Sequence, residues 1–236
     1  VDNSRYPRFG MGGEAFARTN NRLMSRVFSW MFVGLLMTAI IAFVLSMNPR
    51  VPAYFSAHPM IFVGIVIAEI AVVLFLSVRI QKMSAFTATF SFFLYAALNG
   101  ITFTSVLAFF KLGTVTTAFI ITAGMFGIAA VIGYVTKVDL TRFGFIAMMA
   151  LIGLILATLV NLFIHSSTFT MIISYIGVIL FSFLTAYDIQ RIKMMSEAVV
   201  DSEESMAKMA IIGALTLYLD FVNIFFYLLQ ILNNDD

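Results

Sequence analysis

The chain has 236 residues, 61% of them hydrophobic and only 11% charged, with a formal net charge of +2 and no cysteine. Soluble domains carry about a quarter charged residues, so this balance excludes a soluble globular protein. There is no basic patch for nucleic acid, and disulfides, thiolate chemistry and cysteine zinc sites are excluded as well. The apolar residues come in blocks of the ~20 residues that a helix needs to cross about 30 Å of hydrocarbon, without the short alternation of a membrane barrel. The expected fold class is an all-α integral membrane protein, a helical bundle.

Taken in order, residues 1–26 read as an arginine-rich tail (Arg5, Arg8, Arg18, Arg22, Arg26), with Gly10, Gly12 and Gly13 arguing against stable structure before about Glu14. Residues 27–236 read as one transmembrane domain. Its expected spans are Val27–Met47, Met60–Val78, Phe86–Phe110, Thr114–Val135, Phe143–Ile164, Thr170–Tyr187 and Met209–Leu232. The first block is too long for a signal-peptide core and lacks a small-residue cleavage site after it, so it is read as an uncleaved span. Pro49, Pro52 and Pro59 fall in the first loop, and Pro59 suits the first turn of a helix.

Twelve of the 14 Lys and Arg residues fall on the face of the amino terminus, and only Arg50 and Lys111 on the other. The positive-inside rule therefore predicts a cytoplasmic amino terminus and, with seven spans, a carboxyl terminus outside. The lack of cysteine and of any Asn-x-Ser/Thr site suits a bacterial inner membrane. The pairs Ala123/Gly127 and Gly153/Ala157 have the small-xxx-small spacing of close helix packing inside a bundle.

The chemistry concentrates in the acids. Asp220 lies at the centre of the last span, and an ionised carboxylate there costs at least ~2.5–3.5 kcal/mol, which marks it as functional or as a polar contact between helices. Thr216, Asp220, Asn223 and Tyr227 follow at steps of four, three and four, one helical stripe that should face the bundle interior. This places the seventh span centrally. Tyr95, Asn99 and Thr102 repeat the spacing in the third span, facing the same interior or bonding to a neighbouring helix. Glu69 is the other deep acid, at the middle of the second span.

Arg79 ends the second span and Asp188 the sixth, both on the cytoplasmic side, either as interface charges or as an ion pair across a mouth. Asp188 and Asp220 can approach only if the seventh helix starts well into the cytoplasm or tilts; two carboxyls that meet would share a proton and sense pH. Asp201, Glu203 and Glu204 suit the positive end of the seventh helix, with Ser202 as a cap, and lack the spacing of a calcium-binding loop. His58 and His165 read as surface residues.

The seven spans, Ala68-Glu69, the Arg79-Ile80-Gln81-Lys82-Met83 end of the second span, Tyr187-Asp188 and Leu217-Tyr218-Leu219-Asp220-Phe221 together resemble the Bax inhibitor family, also called the transmembrane BAX inhibitor motif family. The likeness runs from the first span onward and is strongest to the bacterial YetJ-like members. It implies a seventh helix sandwiched between two three-helix layers, and a calcium leak gated by pH. It also implies that Asp188 and Asp220 are a paired-aspartate sensor, Arg79 the latch and Glu69 part of the path. The chain ends in Asn233-Asn234-Asp235-Asp236, without the basic tail of animal members, so roles attributed to that tail do not transfer.

The two arguments join in one expectation: calcium passes Glu69, Asp220, Asn223 and Asn99, with Glu69 and Asp220 as transient oxygen ligands. No catalytic residue and no cofactor is expected; the partners are membrane lipid, the permeant calcium ion and a further membrane protein. The rivals are a proton-coupled transporter and a regulator of a membrane protease or cell-death partner. An intramembrane aspartyl protease fits less well, because Leu217-Tyr218-Leu219-Asp220 lacks Gly-x-Gly-Asp, and a retinal receptor lacks its lysine in the seventh span.

Overall fold

The computed structural model describes residues 13–79, 82–195 and 203–234. Arg5, Arg8, Ile80, Gln81, Asp201, the expected cap Ser202, Asp235 and Asp236 lie outside the described residues. Eight α-helices follow one another: α1 (Gly13–Ser46), α2 (Arg50–Ala57), α3 (Pro59–Arg79), α4 (Ala85–Phe109), α5 (Leu112–Val135), α6 (Gly144–Ile164), α7 (Ser167–Met195) and α8 (Glu203–Asn234). A 3-10 turn, Leu140–Phe143, leads into α6, and there is no strand among the described residues. All but α2 are long and apolar enough to cross a membrane, which gives the seven expected spans.

The spans form two layers around α8. α4 lies between α1 and α3, α7 lies between α5 and α6, and α8 packs on α1, α4, α5 and α7. In its most apolar stretch α8 is 61% buried against 6% for α3 and 11% for α6, so the last helix is central and those two are the outer flanks. Its polar side chains require this position. Tyr218 is fully buried and bonds Thr38 of α1 at 2.7 Å, and Thr38 donates its proton to the Ala96 carbonyl of α4 at 2.8 Å. With that proton committed, Tyr218 is the donor, and one hydroxyl chain ties three helices together. In lipid such bonds contribute about 0.6 kcal/mol each, and tight packing supplies the rest.

Three boundaries differ from the sequence expectation, each for a packing reason. α1 begins at Gly13, not near residue 27, because Leu23, Met24, Val27 and Met31 form one buried stripe while Arg22 and Arg26 point to Glu203. α7 runs on past Tyr187 to Met195, because Ile189 and Ile192 bury in the core beside Val27 and Ala210. The proline-rich first loop contains α2, whose Pro52 sits in the first turn, where a missing N–H costs no bond. α2 buries no residue.

The glycines of the small-residue pairs are corrected, while Ala157 packs against the core. A Cβ added at Gly124, Gly127 or Gly153 meets nothing within 4 Å, so these positions do not pack helices together. The close approaches lie elsewhere: at Gly133 a Cβ would stand 2.2 Å from the Ala186 carbonyl oxygen, and at Gly177 2.5 Å from the Tyr227 ring. Spacing alone selects small residues, and only the facing helix decides which are needed. Gly133→Ala and Gly177→Ala are therefore expected to destabilise by about 1–3 kcal/mol through overpacking, whereas Gly127→Ala and Gly153→Ala stabilise by a few tenths or leave stability unchanged. Thermal unfolding of the four variants in one detergent checks the order.

Candidate functional site

Asp220 is held by the straight centre of α8, 3% exposed, with its Oδ2 lacking any hydrogen-bond partner. The Thr185 hydroxyl of α7 faces the same carboxyl. That hydroxyl also donates to the Phe181 carbonyl of its own helix at 2.8 Å. A buried acceptor without a donor is costly, and the residue that carries it lines a cavity of about 630 Å³.

The cavity lies between α3, α6, α7 and α8 and receives the whole polar stripe of α8: Thr216, Asp220, Asn223 and Tyr227. Asp188 lines it too, 8% exposed, and acts electrostatically on Asp220. The two meet because α7 continues past Asp188 and α8 begins six residues before the expected Met209, so both helices extend together at the end that carries the amino terminus. Asp188 is thus well inside a helix and not at its end.

Glu69 of α3 faces the cavity and accepts a hydrogen bond from Thr102 of α4 at 2.5 Å. Tyr95 lines the cavity as well, but Asn99 turns back to the Tyr95 carbonyl at 3.4 Å and stays outside the lining. Asn223 lines it while donating to the Leu219 carbonyl at 2.8 Å, which leaves its side-chain oxygen for another partner. The carboxyls of Glu69, Asp188 and Asp220 offer oxygens along one cavity, but no group of three His, Cys, Asp or Glu side chains gathers to hold a metal among the described residues. Three carboxyls spread along one cavity fall short of the six to eight oxygens that a calcium ion takes.

Arg79 ends α3 with its side chain exposed and forms no ion pair with Asp188. The cation that acts on Asp188 is Arg191, one turn further along α7 and also on the cavity lining. The i,i+3 spacing of Arg191 from Asp188 is the sequence signal for this contact, readable once α7 is known to continue. Thr185, one turn before Asp188, was missed because a mid-span threonine most often bonds its own helix. His58 stacks on Tyr54 and His165 caps α6 in the left-handed region at φ 54°, and both are exposed.

The rim at this end is clamped. Gln190 donates to the Val138 carbonyl and accepts from the Leu140 amide, both at 2.8 Å, and Lys193 bonds the Tyr134 carbonyl at 3.0 Å. Glu203 takes Arg22 at 2.6 Å and Arg26 at 3.0 Å, which ties the start of α8 to α1. In the loop before α6, hydrogen bonds from the Thr141 side chain and amide, with Arg142 behind them, hold the Asp139 carboxyl below its usual range. A carboxyl lowered by folding stabilises above its unfolded pKa, and that contribution is lost as pH falls through the lowered value. Asp139→Asn is therefore expected to lower thermal stability slightly and evenly above about pH 4, with the difference vanishing in stronger acid, as melting curves across pH will show.

The chain is similar to known proteins over nearly its whole length. A family model described as inhibitor of apoptosis-promoting Bax1 matches residues 20–236. The chain is 43% identical over 212 residues to the inner membrane protein YbhL of Escherichia coli, covering 89% of this chain and 91% of that protein. It is 40% identical to a protein of Borreliella burgdorferi over 212 residues, 90% of this chain and 91% of the relative. A Deinococcus radiodurans protein is likewise 40% identical over 213 residues, 90% of each.

Proposed function

The chain belongs to the Bax inhibitor family, and from that premise we propose that it is a pH-sensitive calcium leak in a bacterial inner membrane, the compartment that the Escherichia coli relative's name records. The observation that carries the reading is the buried, half-satisfied Asp220 carboxyl on a cavity shared with Asp188 and Glu69. A mid-membrane acid without a lysine or arginine of its own is an ion-path residue by default. The twelve-to-two bias of basic residues supports a cytoplasmic amino terminus in this reading. No enzymatic step and no cofactor is assigned; calcium is the cargo.

Calcium moves down its gradient along Glu69, Asp220 and Asn223, drawn by carboxylate charge and released because no full ligand set is present. Asp188 and Asp220 form the sensor. When they share a proton, Asp188 no longer presents a full charge, and Arg79 is released from it. When both ionise, Asp188 recruits Arg79 and draws the end of α3 across the mouth. The exposed, unpaired Arg79 and the sparse packing of α3 suit the released position. Arg191 stays beside Asp188 in both and tunes the pair.

Calcium flux into proteoliposomes over roughly pH 5 to 8 tests this reading. A dissipative flux rising with acid by up to about tenfold per pH unit is expected, the limit for one titrating proton. Asp220→Asn should flatten the pH dependence, and Arg79→Ala should raise the neutral-pH flux towards the acid value. An unchanged leak and pH profile in Arg79→Ala would remove the latch, and no flux above empty liposomes would remove the channel.

A further inference from the structure

The cavity beside Asp220 lacks one wall. α3 rests on α4 and α6 on α7, and the two flanks do not pack on each other. Ile70 and Leu74 of α3 and Met148 and Ile155 of α6 line the cavity while remaining 55%, 59%, 56% and 52% exposed. Side chains that line a cavity and stand half exposed mark its mouth. In a bundle whose seven helices all match the hydrocarbon thickness, a mouth at the level of Glu69 and Ile70 opens to lipid and not to water.

From that mouth inward the chemistry changes in one direction. The entrance is aliphatic, and the inner wall carries Glu69, Asp188 and Asp220 against a single guanidinium, Arg191, which already serves Asp188. Asp220 lines the same cavity at 3% exposure, with no lysine or arginine of its own and with Oδ2 lacking a hydrogen-bond partner. A hydrated metal ion has no use for an aliphatic side entrance. An alkyl chain does, since it can slide from bilayer to cavity without meeting water. The volume of about 630 Å³ falls in the range of small-molecule pockets, about 300–1,000 Å³.

We propose that this cavity binds a cationic amphiphile, a primary amine on an alkyl chain, which enters from the bilayer between α3 and α6 and places its ammonium on Asp220. The ammonium supplies three donors, enough for the Asp220 carboxylate and a neighbouring carbonyl or amide oxygen. The chain lies along the aliphatic wall towards Leu74 and Ile155. A fatty acid is rejected because its head group would meet like charge, and a fatty alcohol offers one donor but leaves the carboxylate charge uncompensated. The amphiphile shares its cavity with the proposed calcium path and so obstructs that path. Its binding is read without calcium, so the two readings stand or fall separately.

The test is photolabelling of the full chain in phosphatidylcholine nanodiscs with a diazirine-bearing dodecylamine, beside the matching dodecanol. The amine is expected to label cavity residues of α3, α6, α7 and α8, and unlabelled dodecylamine, but not dodecanol, to suppress it. Asp220→Asn should weaken that labelling about tenfold or more, as loss of a buried charge partner does. Leu74→Trp, which narrows the mouth at an exposed position, should weaken it too in protein whose melting temperature is preserved. Equal labelling by amine and alcohol, absence of cavity labelling, or labelling that survives both substitutions overturns the proposal. If Asp220→Asn fails to fold, Leu74→Trp and the alcohol comparison decide alone. Labelling without calcium flux retains the amphiphile site and removes the leak; flux without labelling does the reverse.

Discussion

Hydrocarbon offers no hydrogen-bond partner, and one helix of this protein is polar on two sides. α8 carries Thr216, Asp220, Asn223 and Tyr227 on one face and Tyr218 on another. Turned to lipid on either side it would leave several groups unsatisfied. The bundle resolves this by packing α1, α4, α5 and α7 around α8: α1 and α4 receive the Tyr218 hydroxyl, and α7 with the cavity receives the acid. The two-layer arrangement follows from that packing, with α1 and α4 on one side of α8, α5 and α7 on the other, and α3 and α6 as outer flanks.

Enclosure demands close approach, and the glycines that permit it sit where helices of the two layers or the central helix touch. Gly133 lets α5 meet the α7 backbone, and Gly177 makes room for the Tyr227 ring. The same tight packing extends beyond the hydrocarbon at the basic end, where α1, α7 and α8 continue together and Glu203 holds two arginines. Exposed ion pairs contribute little to stability on their own. Their effect here is positional, because they fix the depth at which Asp188 and Asp220 face each other.

The flanks follow a different rule. α3 is tied chiefly to α4, through packing and the Thr102–Glu69 bond, and it buries little of its surface. Elements with few buried contacts are those that open at low free energy. A rigid acid-bearing centre beside a lightly held flank is an arrangement in which a small change of charge can move a helix without disturbing the fold. The cavity exists for the same reason: nothing on α3 and α6 makes them meet.

Much of this was legible in the amino-acid order. Hydrophobic blocks of span length determined seven helices, and the four-three-four polar spacing determined that the last of them is central, because helical period and the absence of water in lipid act on any chain alike. The acids Glu69, Asp188 and Asp220 stood out for the same energetic reason. What the order could not decide was which groups meet. Ile189 and Ile192 carry α7 past a charge that looks like a helix end, Arg191 takes the place beside Asp188 where Arg79 was expected, Asn99 turns away, and Gly127 and Gly153 face open space while Gly133 and Gly177 are filled. Those outcomes depend on the neighbouring helix at each depth, and only the packed bundle sets that depth.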